Sequence, residues 1–292
     1  MEPIHKYFHD QNKFPFHMVY KDQKSPQHEL PDHFHEWNEM IFIHSGHGRI
    51  FIDQTFYDLH GGDIIIIPTN TIHRVIPEMS NLILSTAIFF SPAFIQQTAV
   101  GSSLDYLNIF NDVKKSKNYK HTLSPTYLIK VEDYMDQLMK ENQSQNDDKE
   151  NALLLWLHLT LLTIFRNFQQ SRPTQYKQHR HEPDWLRKAL TLINQHISGD
   201  LHLQYIAEKV SVSEAHLSRA FKQLVGMTVS NYIMVKRIHL AKDKLINSNL
   251  KVSSIAEQCG FNSMPHFYRS FNKMTSMTPS EFRKNHYPIQ KR

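Results

Sequence analysis

The feature that most restricts the fold is a repeat inside the last third of the chain. Ile206-Ala207-Glu208 recurs 49 positions later as Ile255-Ala256-Glu257, and Ser213, His216, Arg219, Phe221, Met227-Thr228 and Ser230 recur 50 positions later as Ser263, His266, Arg269, Phe271, Met277-Thr278 and Ser280. Each copy reads as helix, short turn, helix: IAEKV, SVS, EAHLSRAFKQL, then IAEQC, GFNS, MPHFYRSFNKM. Ser213 and Ser263 stand where the N-cap of each second helix belongs, and Pro265 is tolerated in a first turn. Leu217 and Phe221, like Phe267 and Phe271, are four apart and can share a core face, which leaves Arg219 and Arg269 to point elsewhere. A single pair of this kind can be purely structural. Two in register, in a basic region, predict a pair of helix-turn-helix units.

The charge is distributed to match. Residues 1–181 carry 17 Lys+Arg against 20 Asp+Glu, a net of −3, whereas residues 182–292 carry 16 against 8, a net of +8. Such asymmetry points to a polyanionic partner for the C-terminal part, with nucleic acid ahead of a membrane surface. Between the copies, residues 229–246 contain neither Gly nor Pro and predict a connecting helix about 27 Å long at 1.5 Å per residue. With the reach of their own packing, recognition helices held at its ends could approach the roughly 34 Å repeat of the major groove on one face of DNA.

The N-terminal part follows another period. From Phe16 to about Phe90 apolar residues alternate or come in short runs (FHMVY, MIFIHSGHGRIFID, QTFYDL, DIIIIP, NLILSTAIFF), separated by Gly46/Gly48, Gly61-Gly62 and Pro68–Asn70. This predicts a small β-barrel or sandwich over about 14–92, with Trp37, Phe42 and Tyr57 lining a pocket or filling the core. Helices follow over about 93–170. Pro125–Glu141 places Leu128, Ile129, Val131, Met135, Leu138 and Met139 near a 3.6-residue period, and Asn151–Phe168 is strongly apolar. The latter falls short of the roughly 20 residues a membrane span needs, so it reads as a buried helix or as one that also supplies a dimer interface. Residues 171–183, polar and Pro-containing, read as a linker between an N-terminal domain (1–170) and a C-terminal one (184–292). One cysteine, Cys259, excludes an internal disulfide and reads as core packing. The first ten residues offer no apolar stretch for export, which makes the cytoplasm the expected compartment.

Residues of about 184–286 resemble the DNA-binding domain of the AraC/XylS transcription regulators. The match rests on Ile255-Ala256, Gly260-Phe261, Phe267, Arg269, Phe271, Thr278-Pro279-Ser280 and Phe282-Arg283, with Ser276 where the family usually carries Gly. The resemblance implies helix-turn-helix units at about 203–224 and 252–275. It also implies base-facing positions Ala215, His216, Ser218 and Arg219 in the first recognition helix and Met264, His266, Tyr268 and Arg269 in the second. Chemistry grades these: Arg can donate two hydrogen bonds to guanine, while Ala215 and Met264 offer only apolar contact, for example to a thymine methyl. Lys222, Lys236, Arg237, Lys273, Arg283 and Lys284 suit phosphate contacts or solvated charges.

In the first domain, His33-Phe34-His35, Glu39 and Gly46, then Gly62, Pro68 and His73, resemble the two cupin motifs, with Asn70 where the second prefers Gly. His33 and His35, two apart on a strand, would point to one side, and Glu39 and His73 could complete a set suited to Zn, Fe, Mn or Ni. The same residues could instead line an effector pocket with no metal. No catalytic triad, phosphate loop or zinc-finger spacing is present.

The expectation is therefore an α+β two-domain protein, a cupin-like barrel with flanking helices followed by an all-α domain with two helix-turn-helix units. The resemblance implies a homodimeric activator of transcription that binds double-stranded DNA, a small molecule such as a sugar, and RNA polymerase, without enzymatic activity. A metal-dependent cupin enzyme or metal sensor fused to a DNA-binding domain, and an architectural DNA binder, are the alternatives.

Overall fold

The computed structural model describes residues 4–6, 14–25, 33–96, 105–170 and 183–286, which fall into two compact units, within 6–180 and chiefly within 181–292. Most of the expected linker, residues 171–182, lies outside the described residues.

After a two-residue strand β1 (Ile4–His5), the first unit contains β2 (Phe16–Lys24), β3 (His33–Phe34), β4 (Asn38–Ser45), β5 (Gly48–Ile52), β6 (Thr55–Leu59), β7 (Asp63–Ile67), β8 (His73–Pro77) and β9 (Ile83–Phe90). Two antiparallel sheets result. In one, β3, β8, β5 and β6 lie side by side; in the other the order is β10, β7, β4, β9, β2. The last member, β10 (Lys120–Thr122), comes from among the helices and pairs with β7, Lys120 opposite Ile65. It was invisible in the sequence because three residues, Lys-His-Thr, carry no alternation to read.

Helices follow: α1 (Pro92–Gln96), a 3-10 turn (Asp105–Asn108), α2 (Ile109–Ser116), α3 (Pro125–Gln143) and α4 (Lys149–Gln170). They explain why β4 and β7 are unbroken apolar runs rather than alternating ones, since one face looks toward the other sheet and the other face is roofed by helices. Met40, Phe42, Ile64 and Ile66 are wholly buried, as are Val131, Met135 and Leu138 of α3 and Leu153, Leu157 and Leu161 of α4. Ile129, expected on the buried stripe of α3, instead faces out at 69% exposed, with Leu155 of α4 at 70%. Phe42 and Tyr57 belong to the core.

Two tight turns hold the strand ends. Gly46 has φ +90°, and a Cβ there would meet the Leu82 carbonyl oxygen at 2.1 Å, so only glycine fits. Asn70 replaces the expected glycine without disturbing the turn: it takes φ 57°, which Asn tolerates better than most side chains, and donates its N–H to the His35 carbonyl at 2.8 Å.

The second unit is helical: α5 (Asp184–Gln195), α6 (Leu203–Lys209), α7 (Glu214–Val225), α8 (Val229–Asn247), α9 (Val252–Gln258), α10 (Met264–Thr275) and α11 (Pro279–His286). The pairs α6/α7 and α9/α10 are the two repeat copies. Leu217, Phe221, Phe267 and Phe271 are fully buried, each burial contributing about 1.5–3 kcal/mol. Cys259 is buried at the end of α9, and burial pushes its thiol up to about 11, which keeps it protonated and a packing residue.

Candidate DNA interface and sensor cavity

Each recognition helix is fixed at both ends by its own sequence. Ser213 Oγ accepts the His216 N–H at 3.2 Å to start α7, and Ser263 Oγ accepts that of His266 at 3.5 Å to start α10. α7 stops at Gly226 with φ 89°, α10 at Ser276 with φ 55°. The C-cap is thus left-handed in both, relaxed in the first copy and borne by a serine in the second.

Between these caps the apolar residues turn inward and the rest outward. Ala215, His216, Ser218, Arg219 and Lys222 of α7 are exposed, as are His266, Tyr268, Arg269 and Lys273 of α10, while Met264 is half-buried. Arg269 Nε donates to the Pro265 carbonyl at 3.4 Å within its own helix. Among the described residues neither Arg219 nor Arg269 is held in an ion pair. The two equivalent histidines are braced differently: His216 stands edge-on to Trp185 of α5 at 5.2 Å between ring centroids, His266 tilts against Phe261 at 5.7 Å. The part played by Trp185 had no sequence signal, because it lies outside the repeat.

The basic residues of α8 divide. Lys236 is half-buried. Arg237, expected as a phosphate contact or a solvated charge, is committed inside the domain: Nε donates to Ile197 O at 2.9 Å and Nη2 to Gly199 O at 2.6 Å. Both carbonyls lie in the turn that follows α5, and the guanidinium fork satisfies them. Arg283 of α11 does the same for Leu245 and Leu250, its Nη2 lying 2.6 Å from Leu250 O.

In the first unit, a cavity of about 310 Å³ has an apolar side of Val19, Ile41, Val75, Ala87 and Phe89 and a polar side of Lys6, Asp22, Gln23, Lys24, His33, Glu39 and His73. Its size is at the lower end for small-molecule sites. Lys6 Nζ sits 3.9 Å over the Phe89 ring, and Lys24 pairs with Asp22 at 3.2 Å.

The cupin-like residues meet at this cavity from both sheets. His33 of β3 faces His73 of β8 across the strand pair, their rings 4.2 Å apart, while Glu39 comes from β4 in the other sheet. All are buried. Donor atoms of His33, Glu39 and His73 lie within 4.8 Å of one another. His35 is not among the residues that line the cavity, yet its ring lies 6.3 Å from that of His33 and 5.2 Å from that of His73. Its Nε2 lies 2.9 Å from Glu39 Oε2, its Nδ1 2.7 Å from Trp37 O. Burial pushes the Glu39 carboxyl up, but His73 and His35 outweigh it and hold it well below the usual carboxylate range. His73 Nδ1 donates to Thr71 O at 2.9 Å; its Nε2 approaches Glu39 Oε2 to 2.8 Å without hydrogen-bond geometry.

Residues 15–162 match the family described as AraC-like ligand binding domain, and residues 206–285 match the helix-turn-helix domain family. The chain belongs to the AraC family of transcription regulators. Its curated relatives include the HTH-type transcriptional activator RhaR of Mannheimia succiniciproducens and the activator RhaS of Escherichia coli (strain SE11), each 24% identical over 262 residues, which is 90% of this chain and 90% of the relative. Among solved structures, the C-terminal domain of the response regulator AraT from Geobacillus stearothermophilus is 28% identical over 38% of this chain and 92% of its own, TM-score 0.36. ToxT from Vibrio cholerae O395 is 14% identical over 94% and 98%, TM-score 0.37. This family member therefore combines a ligand-binding domain with a DNA-binding one. Among the described residues no helix is long and apolar enough to cross a membrane.

Proposed function

We propose that this regulator activates transcription when a small polyhydroxylated molecule occupies the cavity of its first domain, and that it acts by binding rather than by catalysis. The observation that carries this reading is the pairing of two capped recognition helices, each presenting an exposed arginine, with a ligand-binding domain whose cavity mixes charged groups and an aromatic floor. Arg219 and Arg269 read guanine bases, His216, Ser218, His266 and Tyr268 contact neighbouring edges, Ala215 and Met264 touch apolar groups, and Lys222, Lys236 and Lys273 meet phosphates. Relatives named as transcriptional activators favour activation over repression, and the charged groups beside the Phe89 ring in the cavity suit a sugar as effector. Ile129, Leu155 and Leu159, apolar and exposed on α3 and α4, suit a homodimer. The bound dimer would contact RNA polymerase in the cytoplasm. Selection of binding sites from random duplexes, followed by affinity measurement with and without a panel of monosaccharides, tests the reading: one enriched sequence whose affinity shifts with a sugar supports it, and affinity that no sequence alters overturns it.

The cluster of His33, Glu39 and His73 favours a second reading, a metal sensor or metal-dependent cupin function in the first domain. These residues fit a divalent cation, since the donor atoms converge and the His73 ring is fixed by a backbone carbonyl as ligating histidines are. Bound there, a cation would supply Lewis acidity toward oxygen groups of a molecule in the cavity.

A further inference from the structure

We propose that Trp185 of α5 is a positioning residue for DNA reading: it holds the His216 side chain of the first recognition helix in its base-facing orientation, as Phe261 holds His266 in the second. This rests on the reading of His216 and His266 as base contacts.

The two histidines are equivalent in the repeat, and each is the third residue of its helix, α7 or α10. In both, the backbone at that position is fixed, because the N-cap serine accepts the histidine N–H. Both side chains are exposed, and an exposed imidazole without a neighbour samples several rotamers. Here each has an aromatic neighbour. The Trp185 ring lies 5.2 Å from His216 with 73° between the planes, and the Phe261 ring lies 5.7 Å from His266 with 54° between them.

The neighbours come from unrelated places. Phe261 belongs to the turn of its own helix-turn-helix, where its N–H donates to Ala256 O at 3.0 Å. The residue in the same place of the first copy is Val212, whose N–H donates to Ala207 O at 3.0 Å, and Ala207 is the repeat equivalent of Ala256. Val212 is half-buried and has no ring to offer. The first copy therefore lacks the local aromatic group, and α5, outside the repeat, supplies one. The same contact delivered to the same position by two different elements points to the contact itself as the requirement, not to the packing of one particular turn.

α5 is a firm base for it. Leu186, Ala189, Leu190 and Ile193 are buried, the Leu186 N–H donates to Pro183 O at 2.9 Å, and Arg187 pairs with Asp184 at 2.7 Å. Trp185, half-buried in that first turn, thus reaches His216 from a fixed backbone. A neutral imidazole reads a base edge with one donor and one acceptor nitrogen, so the direction of its ring decides what it can pair with. A side chain that is already ordered also loses less entropy on binding.

The test is a double-mutant cycle on the full chain, with the duplex obtained by site selection and affinity read by anisotropy. Stoichiometric titration fixes the active fraction of each variant, so unfolded protein is not counted as weak binding. Trp185→Ala should weaken binding about 2- to 12-fold, Trp185→Phe should recover most of that loss, and His216→Ala should weaken binding at least as much as Trp185→Ala. In a His216→Ala background Trp185→Ala should cost nothing further, whereas in a His266→Ala background it should cost what it costs in the wild type. No loss in Trp185→Ala, or a loss that persists in full without the His216 side chain, overturns the positioning role and leaves His216 a base contact. His216→Ala without effect on the selected duplex overturns the base contact, and the proposal with it.

Discussion

The Arg237 guanidinium occupies the space that a side chain on Gly260 would need: a Cβ there would stand 2.9 Å from Arg237 Cζ and Nε. Gly260 also has φ +82°. Two requirements thus converge on one glycine of the second helix-turn-helix, a left-handed turn and room for an arginine from α8 that reaches back to the carbonyls of residues 197 and 199. The Gly260-Phe261 pair, read in the sequence as part of a family signature, has here a steric explanation.

From this follows a separation of arginine roles. Arg237→Ala should lower the stability of the C-terminal unit by about 1–3 kcal/mol, through loss of charged hydrogen bonds to two carbonyls. It should leave the salt dependence of DNA affinity unchanged. Lys222→Ala should do the reverse, costing little stability and reducing the slope of log affinity against log salt by about one. Urea titrations and anisotropy at several salt concentrations check both.

Arg269→Ala and Arg219→Ala should each cost about 1–3 kcal/mol on the selected site, about five- to more than a hundredfold in affinity, and much less on random DNA. Competition binding with both duplexes measures the difference. Equal losses on the two would make these arginines phosphate contacts.

The sequence disclosed the second unit more fully than the first, for a physical reason. A helix-turn-helix is a local object: caps, turn and apolar faces lie within about two dozen residues, so Ser213, Leu217, Phe221 and Gly226 announced the first copy and their equivalents the second. The sensor cavity is assembled from strands distant in the chain. His33 meets His73 because β3 pairs with β8, and Glu39 joins them from the opposite sheet; no spacing rule shows that His35 meets Glu39 at 2.9 Å while staying out of the cavity lining. Ile129 misled for a related reason. It sits near the apolar period of α3, yet that helix buries only a narrow stripe of Val131, Met135 and Leu138.

Ser276→Gly should stabilise the C-terminal unit by about 0.5–1 kcal/mol, because it relieves a left-handed serine where the other copy has Gly226. Chemical denaturation followed by Trp185 fluorescence, in a Trp37→Phe/Trp156→Phe background, reads this unit alone. No gain in midpoint would mean that Ser276 earns its place through its side chain.

A pH dependence resides in the first unit. His121 stacks on Phe168 with ring centroids 3.6 Å apart, and burial pulls its imidazole down to about 4. Above about pH 6.5 both folded and unfolded chains carry it neutral and nothing is lost. As pH falls from there toward 4 the unfolded chain takes up a proton that the folded one refuses, so stability declines by up to about 3 kcal/mol. The His121→Gln variant should show a smaller decline between pH 7 and pH 5 when unfolding is followed by urea.

The helix α8 packs against α7 on one side and against α9, α10 and α11 on the other, and its Ile238, Ala241 and Leu245 are completely buried. It is a party wall. The chain repeats itself in letters, yet neither half owns a complete interior, and cutting at the repeat boundary would leave one of them without its inner face. Doubling the motif in this way joins α7 and α10 through one shared interior, so the spacing between their exposed faces is set by what packs on α8.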